Sequence, residues 1–79
     1  MIFISMEYIR DDEFLNRFGN RLRTIRKSQG FTQEKLAFEL GIEVSQISRI
    51  ERGLLNTSIS NAHLIAQKLG VTTSFLFDL

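Results

Sequence analysis

Apolar residues recur at helical spacing along most of the 79 positions of this chain, in short runs separated by glycines. Gly30, Gly41, Gly53 and Gly70 each follow such an amphipathic run. Helices commonly end at glycine, because it adopts the left-handed backbone of a helix C-terminus without a steric penalty. Each amphipathic run must bury its apolar face against the others. The pattern predicts an all-α fold, a compact bundle of five helices.

The first predicted helix covers about residues 12–29. Asp11 precedes it as an N-cap, and the acidic residues of its first turn suit the positive end of the helix dipole. Its predicted core-facing residues are Phe14, Phe18, Leu22 and Ile25. Gly19 falls inside this pattern and costs a helix roughly 1 kcal/mol, so a start nearer to residue 18 is the alternative.

Further helix starts carry a hydroxyl residue at the capping position. Thr32 precedes the second helix, Ser58 the fourth, and Thr72 or Thr73 a short last helix. The residues that the fourth helix is predicted to bury are Ile59, Ala62, Ile65, Ala66 and Leu69. The last helix carries Phe75 ahead of a predicted buried pair, Leu76 and Phe77.

Residues 33–52 contain two amphipathic segments that lie only a few residues apart and are joined at Gly41. The apolar residues of the two segments are Leu36, Ala37 and Leu40, then Val44, Ile47 and Ile50. Gly41 permits a tight turn, and the small Ala37 side chain lets the two helices approach closely. This arrangement predicts a helix-turn-helix, a unit that commonly places its second helix in the major groove of DNA.

Several short motifs occur in the order found in one family of DNA-binding proteins. They are Arg26, FTQEKLA at 31–37, Gly41, SQISRIERG at 45–53 and IAQKLGV at 65–71. Through these motifs the chain resembles the lambdoid phage repressor and Cro superfamily, and more closely the small Xre-like bacterial regulators. The resemblance extends over roughly residues 18–78 and implies a lambda repressor-like DNA-binding domain.

The third predicted helix, about residues 44–52, is the second helix of the helix-turn-helix. Its outer face carries the candidates for reading base edges. They are Val44, Ser45, Gln46 and Arg49. Arginine pairs with guanine through two hydrogen bonds, glutamine and serine bond base edges, and an apolar side chain contacts the thymine methyl group. The resemblance implies base contacts for Val44, Ser45 and Arg49.

Candidates for contact with DNA phosphates surround this helix. Gln33 opens the second helix, where its amide and the unpaired N–H groups of the first turn suit a phosphate, and the resemblance implies the same role. The resemblance also implies contacts from the loop that leads into the fourth helix. The loop candidates are Arg52, Asn56, Thr57 and Ser58, and two further candidates are Arg23 and Lys35. For Ser58, capping of the fourth helix is the favoured interpretation.

Two charged residues are assigned to structure rather than to DNA. The resemblance implies a buried ion pair between Arg26 of the first helix and Glu51 of the third. Such a pair fixes the position of the third helix. Removal of one partner leaves the other charge buried without a counter-charge, which destabilises the fold.

The charge distribution is compatible with a nucleic-acid partner. Residues 16–53 contain eight basic and four acidic residues, whereas residues 1–15 have a net charge of −3 and residues 54–79 are neutral. The positive excess therefore falls on the half that holds the helix-turn-helix, as binding to phosphates requires. A solvated helix face is the alternative source of the same excess.

Composition argues against several other classes of protein. The chain has no cysteine for a disulfide or thiolate site, and His63 is its only histidine. It has no nucleophile–histidine–carboxylate set and no glycine-rich phosphate loop. We therefore expect no enzyme activity, metal, cofactor or small-molecule ligand. The apolar stretch at 1–5 is too short for a signal peptide, and no segment approaches a membrane span, so a cytoplasmic protein is expected.

The chain divides into an N-terminal arm, residues 1–10, and a DNA-binding domain, residues 11–79. Residues at alternate positions of the arm are apolar, so a strand is one interpretation. A disordered or irregularly packed arm is the favoured one.

The leading hypothesis is a sequence-specific transcriptional regulator that binds double-stranded DNA as a homodimer, at an inverted-repeat operator. Its expected functional relatives are controller proteins of restriction–modification systems and small phage or mobile-element repressors. The alternative is a protein-interaction module, an antitoxin or anti-repressor that masks a partner protein. The expected dimer interface contains Leu64, Phe75 and Leu79, because an outward aromatic on the last helix is normally covered. A Phe75 ring folded back onto the fourth helix is the alternative.

Overall fold

The computed structural model describes residues 10–79, which form five α-helices and no strand. The helices are α1 (Asp12–Ser28), α2 (Gln33–Leu40), α3 (Val44–Glu51), α4 (Ile59–Leu69) and α5 (Thr73–Leu76). The predicted all-α, five-helix fold is confirmed. The two interpretations of the N-terminal arm concern residues 1–9, which lie outside the described residues.

The predicted caps begin four of the helices. The side chains of Asp11, Thr32, Ser58 and Thr72 each accept a hydrogen bond of 3.0–3.1 Å from a backbone N–H of the first turn. Of the two threonines considered for the last helix, Thr72 is the cap. At the end of α2, Gly41 takes the left-handed conformation, with φ at 68°. These local signals act within a few residues, which is why they can be read from the sequence.

The core lies where α1, α2 and α4 meet the inner faces of α3 and α5. The largest fully buried side chains come from all five helices and are Leu22, Ile25, Leu36, Ile47, Ile65 and Leu76. Ala37 is buried as well, at the contact between α2 and the rest of the core. The inner face of α3 is therefore held from two sides, by α1 and α2, and its outer face is left open.

Three apolar residues that the periodicity assigns to the core are more exposed than predicted. Phe14 is 41 % exposed, and Leu15 is the buried residue of that turn instead. Ile59, in the first turn of α4, is 87 % exposed, and Phe77 is 37 % exposed. They line a shallow groove at one edge of the core, where the Phe77 ring packs against Phe18 with centroids 4.9 Å apart. Periodicity identified the right helix faces but not the point at which the core ends along them.

Helix α1 passes through Gly19 without a break, so the suggested later start near residue 18 is wrong. Gly19 lies where α1 crosses the C-terminal end of α3. A Cβ atom at this position would lie 2.5 Å from the Ile50 carbonyl oxygen and would also overlap the Glu51 carbonyl oxygen. Real Cβ atoms do not approach a backbone oxygen so closely. The residue that weakens the helix locally therefore permits the closest contact between α1 and α3.

Candidate nucleic-acid interface

The outer face of α3 carries all four residues predicted to read base edges. Val44, Ser45, Gln46 and Arg49 are exposed together on this helix, and the residues buried on its inner face are Ile47, Ile50 and Glu51. The exposed side chains combine a guanidinium, an amide, a hydroxyl and an apolar surface, the groups that recognise base edges in a major groove. In the described residues, neither Arg49 nor Gln46 makes a side-chain hydrogen bond that would hold it against the protein.

A buried ion pair holds the C-terminal end of α3. Arg26 donates from Nε to Oε2 of Glu51 at 2.5 Å and from Nη2 to Oε1 at 3.1 Å. The two side chains are only 7 % and 3 % exposed. The remaining Arg26 nitrogen, Nη1, donates to the Phe31 carbonyl oxygen at 2.8 Å. Both charges are thus hydrogen-bonded as well as paired, which offsets the cost of burying them. The structure brings together the two residues that the sequence assigns to structure.

Gln33 has a protein partner that the sequence does not reveal. Its side chain is half-buried, and Nε2 donates to Oε1 of Glu51 at 3.1 Å. The sequence assigns Gln33 to a DNA phosphate alone. In the structure, its side chain also hydrogen-bonds to the ion pair that anchors α3. Because 18 positions separate the two residues, no local pattern could indicate this contact.

The loop between α3 and α4 forms the second wall of a groove beside the recognition face. The groove has a volume of about 310 Å³ and an apolar floor. Gln46 and Arg49 line it from α3, and the residues lining it from the loop and the start of α4 are Asn56, Thr57, Ser58 and Asn61. Ser58 acts as the α4 cap, as favoured from the sequence. Arg52 is exposed next to the groove-forming loop and donates from Nε to the Ser48 carbonyl oxygen at 3.3 Å.

Comparisons with known proteins agree with this geometry. The pattern that defines the family described as "Helix-turn-helix" matches residues 22–76. The chain is 45 % identical over 62 residues to the control protein C.BamHI of Bacillus amyloliquefaciens, covering 77 % of this chain and 76 % of that protein. It is 39 % identical to the control protein C.MunI of a Mycoplasma species, covering 78 % and 85 %. This chain belongs to the helix-turn-helix family.

A solved structure supports the same assignment. The restriction-modification controller protein C.AhdI of Aeromonas hydrophila superimposes with a TM-score of 0.75 at 39 % identity, over 78 % of this chain and 94 % of that one. The similarity to Xre-like and Cro-type regulators expected from the motifs is therefore confirmed. The chain is a DNA-binding transcriptional regulator of this family, and its relatives are regulators rather than enzymes.

The positive charge of this helix-turn-helix protein is less available to DNA than the residue count suggests. On α1, Arg17 donates to the Leu79 carbonyl oxygen at 2.8 Å, and Arg21 donates twice to the Phe75 carbonyl oxygen. On α2, Lys35 lies 3.0 Å from a carboxylate oxygen of Glu39. A hydrogen bond from Lys35 and the positive charge of Lys35 lower the pKa of the Glu39 carboxyl group. With Arg26 buried and Arg52 bonded to the Ser48 carbonyl oxygen, five of the eight basic residues of this half have partners within the protein, and the exposed Arg23 has none within residues 10–79.

Arg10 is a contact residue that the sequence does not reveal. It donates from Nη2 to the Leu54 carbonyl oxygen at 2.8 Å and from Nε to Asp12 at 2.6 Å. These bonds tie the start of α1 to the loop that follows α3. An isolated arginine ahead of a helix carries no sequence signal for such a contact.

The last two helices of the helix-turn-helix domain carry exposed apolar side chains, and one of them, Leu64, also lines the groove beside α3. Phe75 and Leu64 are 47 % and 44 % exposed, whereas Leu79 is partly buried against the core. The guanidinium of Arg21 lies 4.3 Å from the centre of the Phe75 ring. This contact comes from α1, and about half of the Phe75 side chain remains exposed.

His63 makes a contact within the domain. Nδ1 of His63 lies 2.9 Å from the Thr73 hydroxyl oxygen and links α4 to α5. No cluster of histidine and acidic residues with metal-binding geometry occurs within residues 10–79. None of the helices described here is both long enough and apolar enough to cross a membrane.

Proposed function

We propose that this protein is a sequence-specific regulator of the controller type, which binds an inverted-repeat operator as a homodimer with α3 in the major groove. The observation that carries the proposal is the exposed face of α3, where Val44, Ser45, Gln46 and Arg49 lie together and the polar side chains have no hydrogen-bond partner among residues 10–79. Arg49 pairs with a guanine, and the other three side chains contact neighbouring base edges.

Residues beside α3 supply the contacts to the DNA backbone. Gln33 at the start of α2 lies on one side of the recognition helix, and the loop residues lie on the other. Those proposed for phosphate contact from the loop are Arg52, Asn56 and Thr57, with Ser58 contributing through its backbone as the α4 cap. Arg23 is a weaker candidate, and the charge of Lys35 is already compensated by Glu39. Contacts of this kind set the orientation of the protein and bind all duplexes alike.

The names of the relatives support the controller assignment. Two of them are control proteins, and the solved structure is of a restriction-modification controller protein. Each is similar to this chain over more than three quarters of its own length. We propose the same role here, so a restriction-enzyme or methyltransferase gene is expected beside the gene for this protein. A toxin gene in that place would favour the antitoxin alternative.

We expect Arg49→Ala to weaken binding to the preferred operator by about 1–3 kcal/mol, because it removes a bidentate contact with guanine. The operator is first obtained by selecting bound sites from random duplex DNA with the purified protein. Affinities of wild type and variant are then measured for that site and for an unrelated duplex at the same salt concentration. The loss on the unrelated duplex is expected to be much smaller.

Lys68→Ala is the matched control, since it removes one positive charge from the exposed surface of α4. It should leave the ratio of specific to non-specific affinity unchanged. An equal loss on both duplexes for Arg49→Ala would assign Arg49 to phosphate contact. If the selection enriches no site, the protein is not a sequence-specific regulator.

The homodimer is proposed to form through the surface that carries the exposed Leu64 and Phe75 and the half-buried Leu79. A two-fold axis at this surface would place two copies of α3 about 34 Å apart, one turn of DNA, and would require an inverted repeat. We expect Phe75→Glu to give a folded monomer with much weaker operator binding, because the new charge would be buried in the interface. Sedimentation equilibrium measures the mass, and circular dichroism measures the helix content.

Phe38→Glu provides the control for this substitution. Phe38 is 80 % exposed on α2, so the same chemical change is made outside the proposed interface. This control should remain a dimer. A Phe75→Glu variant that also remains a dimer would move the interface elsewhere.

A further inference from the structure

The buried ion pair has a third member that reaches the proposed DNA-binding surface. Oε1 of Glu51 accepts hydrogen bonds from Nη2 of Arg26 and from Nε2 of Gln33, both at 3.1 Å. Glu51 is buried, Arg26 is buried, and Gln33 is half-buried at the first residue of α2. A continuous set of hydrogen bonds therefore connects α1 and the end of α3 to the start of α2.

The chemistry of this set fixes the orientation of the Gln33 amide. An ionised carboxylate only accepts hydrogen bonds, so it must face the NH₂ group of the glutamine and not its carbonyl oxygen. A flipped amide would place two acceptors against each other inside a partly buried site. One Nε2 hydrogen is thus used by Glu51. Within residues 10–79, the second hydrogen and Oε1 have no other hydrogen-bond partner.

We propose that Glu51 is a positioning residue for DNA binding: its carboxylate, held by Arg26, orients Gln33 so that the second Nε2 hydrogen is directed to a DNA phosphate. The inference rests on the proposed function for its ligand, but the orientation of Gln33 exists in the free protein. The ion pair then has two tasks. It holds the recognition helix in place, and it prepares a backbone contact on the neighbouring helix before DNA arrives.

The free protein allows a direct test by nuclear magnetic resonance of ¹⁵N-labelled wild type. We expect one of the two Gln33 side-chain amide protons to exchange slowly with water, since it is bonded to a partly buried carboxylate. Addition of a random-sequence duplex should shift the other proton and leave the first nearly unchanged. A glutamine with only a structural role would not show this shift of its other amide proton on addition of DNA. Two ordinary, rapidly exchanging protons in the free protein would overturn the proposal.

Gln33→Ala tests the contribution to binding. We expect affinity for both specific and unrelated duplexes to fall about tenfold, because a hydrogen bond to a charged phosphate is lost. The dependence of affinity on salt should stay the same, since no cation is removed. Glu34→Ala is the control on the next residue, which is exposed; it should not lower affinity. If wild type binds duplexes and Gln33→Ala binds them equally well, the positioning role and the Gln33 phosphate contact are both wrong, whereas the proposed regulator function and the role of α3 stand.

Gln33→Glu tests the contact with Glu51 without using DNA. The variant keeps the size of the side chain but sets a second carboxylate beside Glu51, so we expect the Tm to fall by about 5 °C or more at pH 7. Repulsion between the carboxylates favours the protonated form of the new group in the folded state. The loss is therefore largest at neutral pH and shrinks as the pH falls towards about 4.

Ser60→Glu is the control for this experiment, because it adds a negative charge at an exposed position of the first turn of α4, where the helix dipole acts in the same direction as at Gln33. Its effect on the Tm should be small. Equal Tm values for the two variants at pH 7 would show that Gln33 does not contact Glu51 in solution and would overturn the proposal. Failure of wild type to bind any duplex would instead contradict the proposed function, and the resonance and Tm results would remain valid.

Discussion

Replacement of Glu51 by alanine is expected to lower the free energy of unfolding by about 3–5 kcal/mol, because it leaves the Arg26 guanidinium buried without its counter-charge. The Glu51 carboxylate receives two hydrogen bonds from Arg26 and one from Gln33, and all three are lost together. A domain of this size has a total stability of roughly 4–12 kcal/mol. The expected loss is therefore a large fraction of the total stability, and the unfolding transition should move to a much lower urea concentration. Urea titration followed by circular dichroism measures the effect.

The surface pair between Lys35 and Glu39 offers a matched control. Glu39→Ala removes the same carboxylate chemistry from an ion pair between helix positions i and i+4. The pair is accessible to water, which screens it and replaces the lost partner, so the loss should be much smaller than for Glu51→Ala. If the two alanine variants unfold at the same urea concentration, the ion pair between Arg26 and Glu51 does not stabilise the fold in solution.

DNA binding by the Glu51→Ala variant should fall with the fraction of unfolded molecules and, in the folded molecules, by up to the roughly tenfold contribution of Gln33, because Glu51 no longer orients its amide. Arg49→Ala provides the contrast, because Arg49 is exposed and is not among the residues that hydrogen-bond or pair with Arg26 and Glu51 within residues 10–79. We expect its unfolding curve to match that of wild type although its operator affinity falls. The comparison separates residues that hold α3 in place from residues that contact bases.

Gly19→Ala is expected to destabilise the protein by roughly 1–3 kcal/mol, the range typical of an extra methyl group forced into a packed contact. The added Cβ would lie 2.5 Å from the Ile50 carbonyl oxygen, and neither helix backbone can move aside cheaply. Helix propensity alone predicts the opposite sign, because alanine favours a helix interior over glycine by about 1 kcal/mol. The same urea titration measures the sign as well as the size of the effect.

Asn20→Ala is the control on the next residue of α1, which is exposed. Because the Asn20 side chain is exposed, alanine should leave the stability unchanged or raise it slightly. A Gly19→Ala variant that also gains stability would show that α1 and α3 do not approach as closely in solution as described here.

The sequence by itself determined the helices, their caps and the turn between α2 and α3. A hydroxyl or carboxylate at an N-cap bonds an N–H group only three residues away, so Asp11, Thr32 and Ser58 act within their own segments. Gly41 likewise needs only its own positive φ. The outer face of α3 was equally predictable, because burial of Ile47 and Ile50 leaves Ser45 and Arg49 pointing away.

Only the tertiary structure decided which partners distant side chains take. Three contacts join segments that are far apart in the chain. They are the hydrogen bond between Gln33 and Glu51, the hydrogen bond from Arg21 of α1 to the Phe75 carbonyl oxygen of α5, and the close approach of α1 and α3 at Gly19. Helical periodicity specifies which face of a helix is buried, but not the neighbour that it meets or the point where the core ends. For that reason the periodicity places Ile59 in the core, although its side chain is exposed. The periodicity also indicates only that Gly19 weakens α1, whereas the absence of a Cβ atom at Gly19 allows α3 to pack closely against α1.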